Sequence, residues 1–462
     1  MPHRLLRIGY LALLGSLAGL LRAEAPLWSV KPLAQEGVVV ARSPNPESIF
    51  LGTPSILVLS GNRLVASFDH FGAGVGQLPG SIGRRPHFPP DYNRLQTAVA
   101  TSDDGGKSWT RRAALPITHA RLFADSGRVY LLGNCGRIMI ARSADRGETW
   151  SELSALTEND QWAMGASNVL VANGHLYAPM MLRTDLGYRG YFVSTLAPVM
   201  FRAPEGANLM DASVWVQSQR QMAFRDLVDE TKLDYFGIPF FPVPDRNAAQ
   251  PLADNPRIVA NRIGWHEPYV VQITDPNHQF FDPKRRTLHI LARGDVHRSN
   301  FGMLSKVVEN GEGEMRFDLE RTPAGTAMVF VPLPGGNIKF HVLQDPRTGL
   351  YWLLSNQVTD SMRRPGTMPE SRFGLPLDQR DRLVLHYSKN LMDWVFAGLV
   401  AKGATPRESY HYCGMDIDGE DLVILSRTGD ANVRQPKAPH RDAHDTNLIT
   451  FHRVRNFRAL VY

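Results

Sequence analysis

Short apolar runs alternate with clusters of Gly, Pro, Asn and Asp along most of the chain. Ile56–Ser60, Leu64–Phe68, Val129–Leu132, Ile138–Arg142, Val169–Val171, Leu288–Ala292, Tyr351–Ser355 and Leu422–Leu425 are each of strand length. They are bounded by turn signals such as Ser60-Gly61-Asn62, Asn173-Gly174, Arg347-Thr348-Gly349 and Asp418-Gly419, residues suited to the left-handed backbone of tight hairpins. Stretches with a 3.6-residue period are nearly absent, and residues 217–232 are the one segment expected to hold a helix. Many short strands at regular spacing predict an all-β sandwich, barrel or propeller.

An internal repeat separates these options. Ser102-Asp103-Asp104-Gly105-Gly106-Lys107-Ser108-Trp109 fits S-x-D-x-G-x-x-W, and Ser143-Ala144-Asp145-Arg146-Gly147-Glu148-Thr149-Trp150 fits it again. Ser388-Lys389-Asn390-Leu391-Met392-Asp393-Trp394 is a worn copy, one residue short and without the Gly. Each follows a strand-like run. The Asp accepts backbone N–H bonds within the turn, the Gly permits a positive φ, and the Trp packs back over the hairpin.

This motif resembles the Asp box (BNR repeat) of the sialidase (neuraminidase) superfamily, over roughly Glu47 to Tyr462. The resemblance implies an all-β, six-bladed β-propeller, with residues 201–264 as an enlarged loop region. The final strand Leu448–Val454 would close the ring beside an N-terminal strand. It also implies a retaining glycosidase in which a Tyr attacks the anomeric carbon, a Glu takes its proton, an Asp serves as acid/base and three Arg bind the sugar carboxylate.

Carried onto this chain, the resemblance makes Glu267, in His266-Glu267-Pro268-Tyr269, the residue that activates the nucleophile. Arg293, at the end of Leu288–Arg293, and Arg382, before the worn motif, bind the carboxylate. Tyr412 is the nucleophile, with Tyr410 as the alternate. Asp69, after the strand Leu64–Phe68, is the acid/base, with Asp91 as its rival. His70 and His411 are expected to contact substrate, and His266 and His341 fall at nearby strand ends. The family's first-blade Arg-Ile-Pro is here Gly52-Thr53-Pro54: the Pro is kept and the Arg is missing. Arg42, Arg84 and Arg85 are the candidates to replace it, unless the sugar is a different one.

His440, His444 and Asp445 give H-x-x-x-H-D, a metal spacing only if helical. The neighbouring Pro436, Pro439 and Asp442 read as loop, so no metal and no cofactor is expected. A His–Tyr–Arg cluster would also suit β-elimination of a uronate by a polysaccharide lyase. A non-catalytic glycan-binding propeller is the third alternative.

The N-terminus adds a location. Arg4 and Arg7 precede the uncharged apolar stretch Ile8 to Leu21, and Ala23-Glu24-Ala25 is an A-x-A cleavage pattern. Residues 1–25 therefore read as a signal peptide, and 26–462 as one secreted or periplasmic domain. No later segment is apolar enough to predict a membrane span. The formal charge of +6 falls to about +4 when Arg4, Arg7, Arg22 and Glu24 are removed. No basic run is interleaved with aromatics, so a glycan rather than a nucleic acid is the expected partner. Two cysteines, Cys135 and Cys413, exclude a disulfide scaffold; two reduced, buried thiols are favoured over one disulfide.

Overall fold

The computed structural model describes residues 30–88, 93–219, 222–229, 232, 248–253, 255–295, 300–367, 379–430, 432–433 and 443–462. The proposed leader, Asp91 and His440 lie outside these residues. Among them the chain is all-β, in six antiparallel sheets of four or five strands and two short two-stranded ribbons.

The sheets follow one another along the sequence. The first contains Phe50–Val58, Leu64–Phe71, Arg94–Ser102 and Thr110–Leu115, and the second Thr118–Asp125, Arg128–Asn134, Ile138–Ser143 and Ser154–Ala155. The third runs through Trp162–Met164, His175–Arg183, Leu196–Pro204 and Val216–Gln217. Gly264–Val271, Thr287–Asp295, Phe301–Glu309 and Met315–Asp318 make the fourth; His341–Gln344, Tyr351–Asn356, Arg382–Ser388 and Val395–Lys402 make the fifth. The sixth joins Tyr410–Asp418, Asp421–Thr428 and Leu448–Val454 to the N-terminal strand Val38–Arg42. The last strand thus pairs with the first, Leu448 opposite Arg42.

Local chemistry explains the hairpins. Gly61 and Asn62 (φ 67° and 60°) turn the first sheet's leading strand into its second, and Asn173 and Gly174 (52° and 72°) do the same before His175. In the first repeat motif, Asp104 Oδ1 accepts from the backbone N–H of Lys107 and Ser108, both at 2.9 Å. Ser102 Oγ accepts from Gly106 N–H at 2.9 Å. The second motif repeats this with Ser143, Asp145, Gly147 and Thr149. In the worn copy Asn390 takes the place of Asp, and Leu391 takes the left-handed position at φ 64°. All three link the third and fourth strands of their sheets. Among the described residues of the expected helix, Phe224–Leu227 form one α-helical turn; Val216–Gln217 is a strand that pairs with Phe201 and Arg202.

The apolar core lies between sheets. Val65 and Val99 of the first sheet pack with Leu122 and Leu131 of the second. Comparable clusters join second to third, third to fourth, fourth to fifth and fifth to sixth. Leu51 and Phe68 of the first sheet pack with Leu425 and Phe451 of the sixth. Neither cysteine is oxidised; Cys413 is buried and Cys135 half-buried.

The first motif also sets the fit of the first sheet against the sixth. Gly106 has φ 97°, and a Cβ there would come within 2.2 Å of Phe451 Cε1. Gly127, at φ 75°, has open space around it. Gly127→Ala should cost about 1 kcal/mol of backbone strain, and Gly106→Ala a further ~1–3 kcal/mol from overpacking. Urea unfolding of both variants checks this; equal losses would contradict the close packing at Phe451.

Candidate active site

A bulge recurs in four leading strands. In the first sheet Gly52 pairs with Asp69 and Ser55 with Ser67; in the second Thr118 pairs with Asn134 and Arg121 with Leu132. In the fourth His266 pairs with Arg293 and Tyr269 with Leu291; in the sixth His411 pairs with Arg427 and Gly414 with Leu425. Each leading strand therefore carries one extra residue. The first residue of each bulge is left-handed: Thr53 (φ 47°), His119 (50°), Glu267 (52°) and Tyr412 (51°). Pro, Ala, Pro and Cys follow them.

All four bulge residues line one pocket of about 680 Å³. Three of the residues paired beside the bulges, Asp69, Arg293 and Arg427, line it as well. The sheet repeat thus delivers Thr53 with Asp69, Glu267 with Arg293, and Tyr412 with Arg427.

Tyr412 is the centre of the charge network. Arg293 Nη1 donates to Tyr412 Oη at 2.8 Å and to Glu267 Oε2 at 3.2 Å, while Arg293 Nε donates to the Asn337 carbonyl at 2.9 Å. The guanidinium carbons of Arg380, Arg427 and Arg293 lie 5.0, 5.1 and 5.6 Å from the Tyr412 ring centre. Burial pushes the Tyr412 phenol up, but Arg293, Arg380 and Arg427 outweigh it and hold the phenol below its ordinary value. Glu267 is opposed by burial, yet Arg293, His266 and Lys339 bring its carboxyl down to about 2.

Asp69 answers to the opposite balance. It is 2% exposed, and burial raises its carboxyl despite hydrogen bonds from Thr97, Thr118 and the His119 backbone. Thr97 Oγ1 donates at 2.6 Å, Thr118 Oγ1 at 2.9 Å and His119 N–H at 2.7 Å. One carboxylate is thus held ionised and a second is biased toward its acid form in the same pocket.

The expected site residues divide accordingly. Asp69, Glu267, Arg293 and Tyr412 come together, and His266 joins them on the pocket wall. Arg382 does not: it opens an inner strand opposite Lys402, beside Asp381. Arg380, two residues earlier, reaches Tyr412 and places Nη1 3.0 Å from His411 Nδ1. His411 is therefore a buried support for Arg380 rather than part of the pocket wall. Tyr410 is also absent from the wall. The bulge breaks the strand's two-residue period, and the Tyr410 hydroxyl donates to Glu408 at 3.2 Å. His70 succeeds Asp69 on the opposite face of the strand and packs beside Phe68. His341 is buried against Tyr269.

Gly52 stands where the resemblance puts an arginine, and another arginine reaches that position. Arg42 is bound to Asp430, and Arg84 is exposed. Arg85 lines the pocket. Arg427 comes over Gly52: a Cβ at position 52 would lie 3.5 Å from Arg427 Nη1. Its guanidinium is held by Thr446 Oγ1 at 3.2 Å, by the His444 carbonyl and near Asp445 at 3.7 Å. A sequence signal existed, since Leu288-His289-Ile290-Leu291-Ala292-Arg293 and Leu422-Val423-Ile424-Leu425-Ser426-Arg427 share L-x-I-L-x-R.

His444 and Asp445 are not in a helix. Instead His444 Nδ1 bonds Asp445 Oδ1 at 2.6 Å, and the His444 ring meets the Tyr412 ring edge-on at 5.9 Å. Burial and Arg427 bring His444 down to about 3. His119 and His266 fall to about 3 and 4, chiefly by burial. The pocket's histidine charge is therefore small, and its sign is set by Arg85, Arg94, Arg183, Arg293 and Arg427 against Asp69 and Glu267. Such a pocket favours an anionic ligand. Among the described residues no group of three or more His, Cys, Asp and Glu side chains is arranged to hold a metal ion, and no helix is long and apolar enough to cross a membrane.

Known proteins share this fold at low identity. The chain is similar to Trypanosoma rangeli sialidase, with a TM-score of 0.50 and 13% identity over 93% of this chain and 61% of that one. A mutant of that enzyme displaying trans-sialidase activity gives 0.50 and 13%, over 94% and 60%. Penicillium chrysogenum α-L-arabinanase complexed with arabinobiose gives 0.49 and 12%, over 93% and 100%. The chain spans about three fifths of the length of the sialidase structures. At this identity the likeness is one of fold, of the propeller type. No protein-family model matches the chain, and no curated protein matches it.

The charge network makes a spectroscopic prediction. One tyrosine should ionise at lower pH than the rest in an ultraviolet titration near 295 nm, and Tyr412→Phe should abolish that step. Arg380→Gln removes a cation that favours the phenolate, so it should move the step to higher pH. A step unaffected by Tyr412→Phe would assign it elsewhere.

Proposed function

We propose that this chain is a six-bladed sialidase-like propeller, exported by its N-terminal leader, that hydrolyses a terminal acidic sugar from glycans. The observation that carries the reading is the Tyr412 hydroxyl within hydrogen-bond distance of Arg293, beneath two further guanidiniums and beside Glu267.

In this mechanism Arg293, Arg380 and Arg427 bind the sugar carboxylate, and forked hydrogen bonds fix the ring over Tyr412. Tyr412 Oη attacks the anomeric carbon as the bond to the leaving oxygen breaks. Asp69, biased toward its acid form, gives that oxygen a proton. A phenol approaches an anionic sugar with less repulsion than a carboxylate would. Glu267 takes the Tyr412 proton. In the unliganded site no hydrogen bond joins these two, and Arg293 Nη1 bonds both. A substrate carboxylate that draws Arg293 toward itself would loosen its hold on Glu267 and raise that carboxyl, making it a better base. Water then attacks the anomeric carbon with Asp69 as base, the bond to Tyr412 Oη breaks, and Glu267 returns the proton to the phenol.

The test is covalent trapping. Incubation with 2,3-difluorosialic acid should add one sugar to the protein by mass spectrometry, on the peptide that contains Tyr412. Tyr412→Phe should prevent the adduct and lower turnover of an aryl sialoside by about a thousandfold or more. Arg427→Gln should raise KM for that substrate by about tenfold. No adduct, and no release from aryl glycosides of sialic or uronic acids, would reject the hydrolase.

The hydrogen-bonded His444–Asp445 pair beside Tyr412 favours one second reading, a uronate lyase. There the arginines would neutralise the carboxylate, and His444 or Tyr412 would remove the α-proton. Unsaturated product absorbing near 235 nm, lost in His444→Gln, would select the lyase; reducing ends without that absorbance select the hydrolase. Binding without turnover in both assays would leave a non-catalytic glycan-binding protein.

A further inference from the structure

A second set of buried cations lines the same pocket, and the mechanism above does not use it. Arg85 follows the short strand Gly83–Arg84, and Arg183 ends the strand His175–Arg183. Each is 9% exposed, and both line the pocket. Arg85 Nη1 donates to the Ala163 carbonyl at 3.2 Å, and its guanidinium lies 3.5 Å over the Phe88 ring. Arg183 donates to the carbonyls of His87 and Asp185, at 3.0 and 3.3 Å, and stands 5.7 Å from the Phe192 ring centre. Phe88 and Phe192 meet edge to face at 5.1 Å.

Neither guanidinium is in salt-bridge contact with a carboxylate among the described residues; Asp69 acts on Arg85 and Asp185 on Arg183 only from farther off. The Asp185 carboxylate is taken by Arg225 at 2.6 Å, and Arg85 Nε, buried, has no hydrogen-bond partner. Other buried arginines differ: Arg63 pairs with Asp103 and Glu148 and Arg293 with Glu267, while Arg121 and Arg380, toward the Tyr412 side, contact Ser55 and His411 rather than a carboxylate among the described residues. Each guanidinium offers five N–H donors, of which the carbonyls use a minority. Burying such a charge unpaired is costly, and burial lowers both groups, Arg85 to about 10. They remain cationic at neutral pH.

We infer that Arg85 and Arg183 form a second oxyanion subsite, for a carboxylate or sulfate ester carried by the same glycan as the sugar at Tyr412. The inference rests on the reading of the Tyr412 pocket as a sugar site and adds that the substrate is at least doubly anionic. The Phe88–Phe192 pair between the two arginines gives that part of the ligand an apolar wall against which a sugar face can pack.

Calorimetric binding tests this without requiring turnover. Three ligands are compared: a uronic acid disaccharide with one carboxylate, the same disaccharide with a second carboxylate, and the same with one sulfate ester. At least one doubly charged ligand should bind the wild-type protein about tenfold or more tightly than the singly charged one. The ratio should fall toward one in Arg85→Gln/Arg183→Gln. Whichever of the two ligands shows the preference identifies the second anion. Should the double variant fail to fold by circular dichroism, Arg85→Lys and Arg183→Lys keep the charge and lose the fork, and each should reduce the ratio. Equal affinities in the wild type, or a preference that survives these substitutions, overturns the subsite. Failure of the glycosidase reading appears separately, as absence of a Tyr412 adduct and of product.

Discussion

The site depends on a strained backbone position repeated in four sheets. Thr53, His119, Glu267 and Tyr412 each hold a left-handed conformation that costs an L-residue about 1–2 kcal/mol. Strand pairing on both sides of each bulge fixes it, so the strain is held by the sheets rather than by the pocket. Without the extra residue the strands would keep their two-residue alternation, and the side chains that now share the pocket would be directed by the pleat. The same device aligns Asp69, Arg293 and Arg427 beside the bulges. The site is therefore assembled by one device, a bulge at corresponding points of four of the six sheets.

Electrostatics then divides what the bulges assemble. Two buried carboxylates share the pocket, but only Glu267 has an arginine in contact. Asp69 is surrounded by neutral donors. Burial acts on both in the same direction, and the guanidinium decides the difference. Tyr412 follows from the same contact, since the Arg293 nitrogen that bonds Glu267 also bonds its hydroxyl. Any ligand anion that competes for Arg293 must change both groups at once.

The strands, the hairpins and the repeat motif were legible because each rests on local rules: two-residue alternation, Gly and Asn at left-handed turns, and an Asp that bonds its own turn. Glu267, Arg293 and Tyr412 were picked out by the resemblance of their segments to the family's, and the fold brings them into one pocket. The choice between Tyr410 and Tyr412 was not, because two residues apart on a regular strand share a face; only the bulge sends one inward. Arg380 precedes its strand, where no periodicity marks direction, and the reading settled on Arg382 instead. Arg427 was hidden for another reason. Its signal is the L-x-I-L-x-R segment repeated a third of the chain away, far in sequence from Gly52. Among the described residues of the expected helix at 217–232 one turn is α-helical, and Gln217 pairs with the third sheet instead.

Gly52 and Arg427 share one space. A side chain at position 52 would start 3.0 Å from Phe71 Cε1 and 3.5 Å from Arg427 Nη1, so a long residue there would contest the space that Arg427 now fills. Arg427 also stacks on Phe71 at 4.6 Å, using the face that Gly52 leaves open. On the glycosidase reading proposed here, the third cation has moved from the leading strand of the first sheet to the second strand of the sixth. Arg293, Arg380 and Arg427 then all approach Tyr412 from the fourth, fifth and sixth sheets. The first sheet contributes Thr53 and Asp69 at its bulge, and its Arg94 lines the pocket as well. On that reading a carboxylate held by Arg293 and Arg427 lies on the Tyr412 side, and the leaving group faces Asp69.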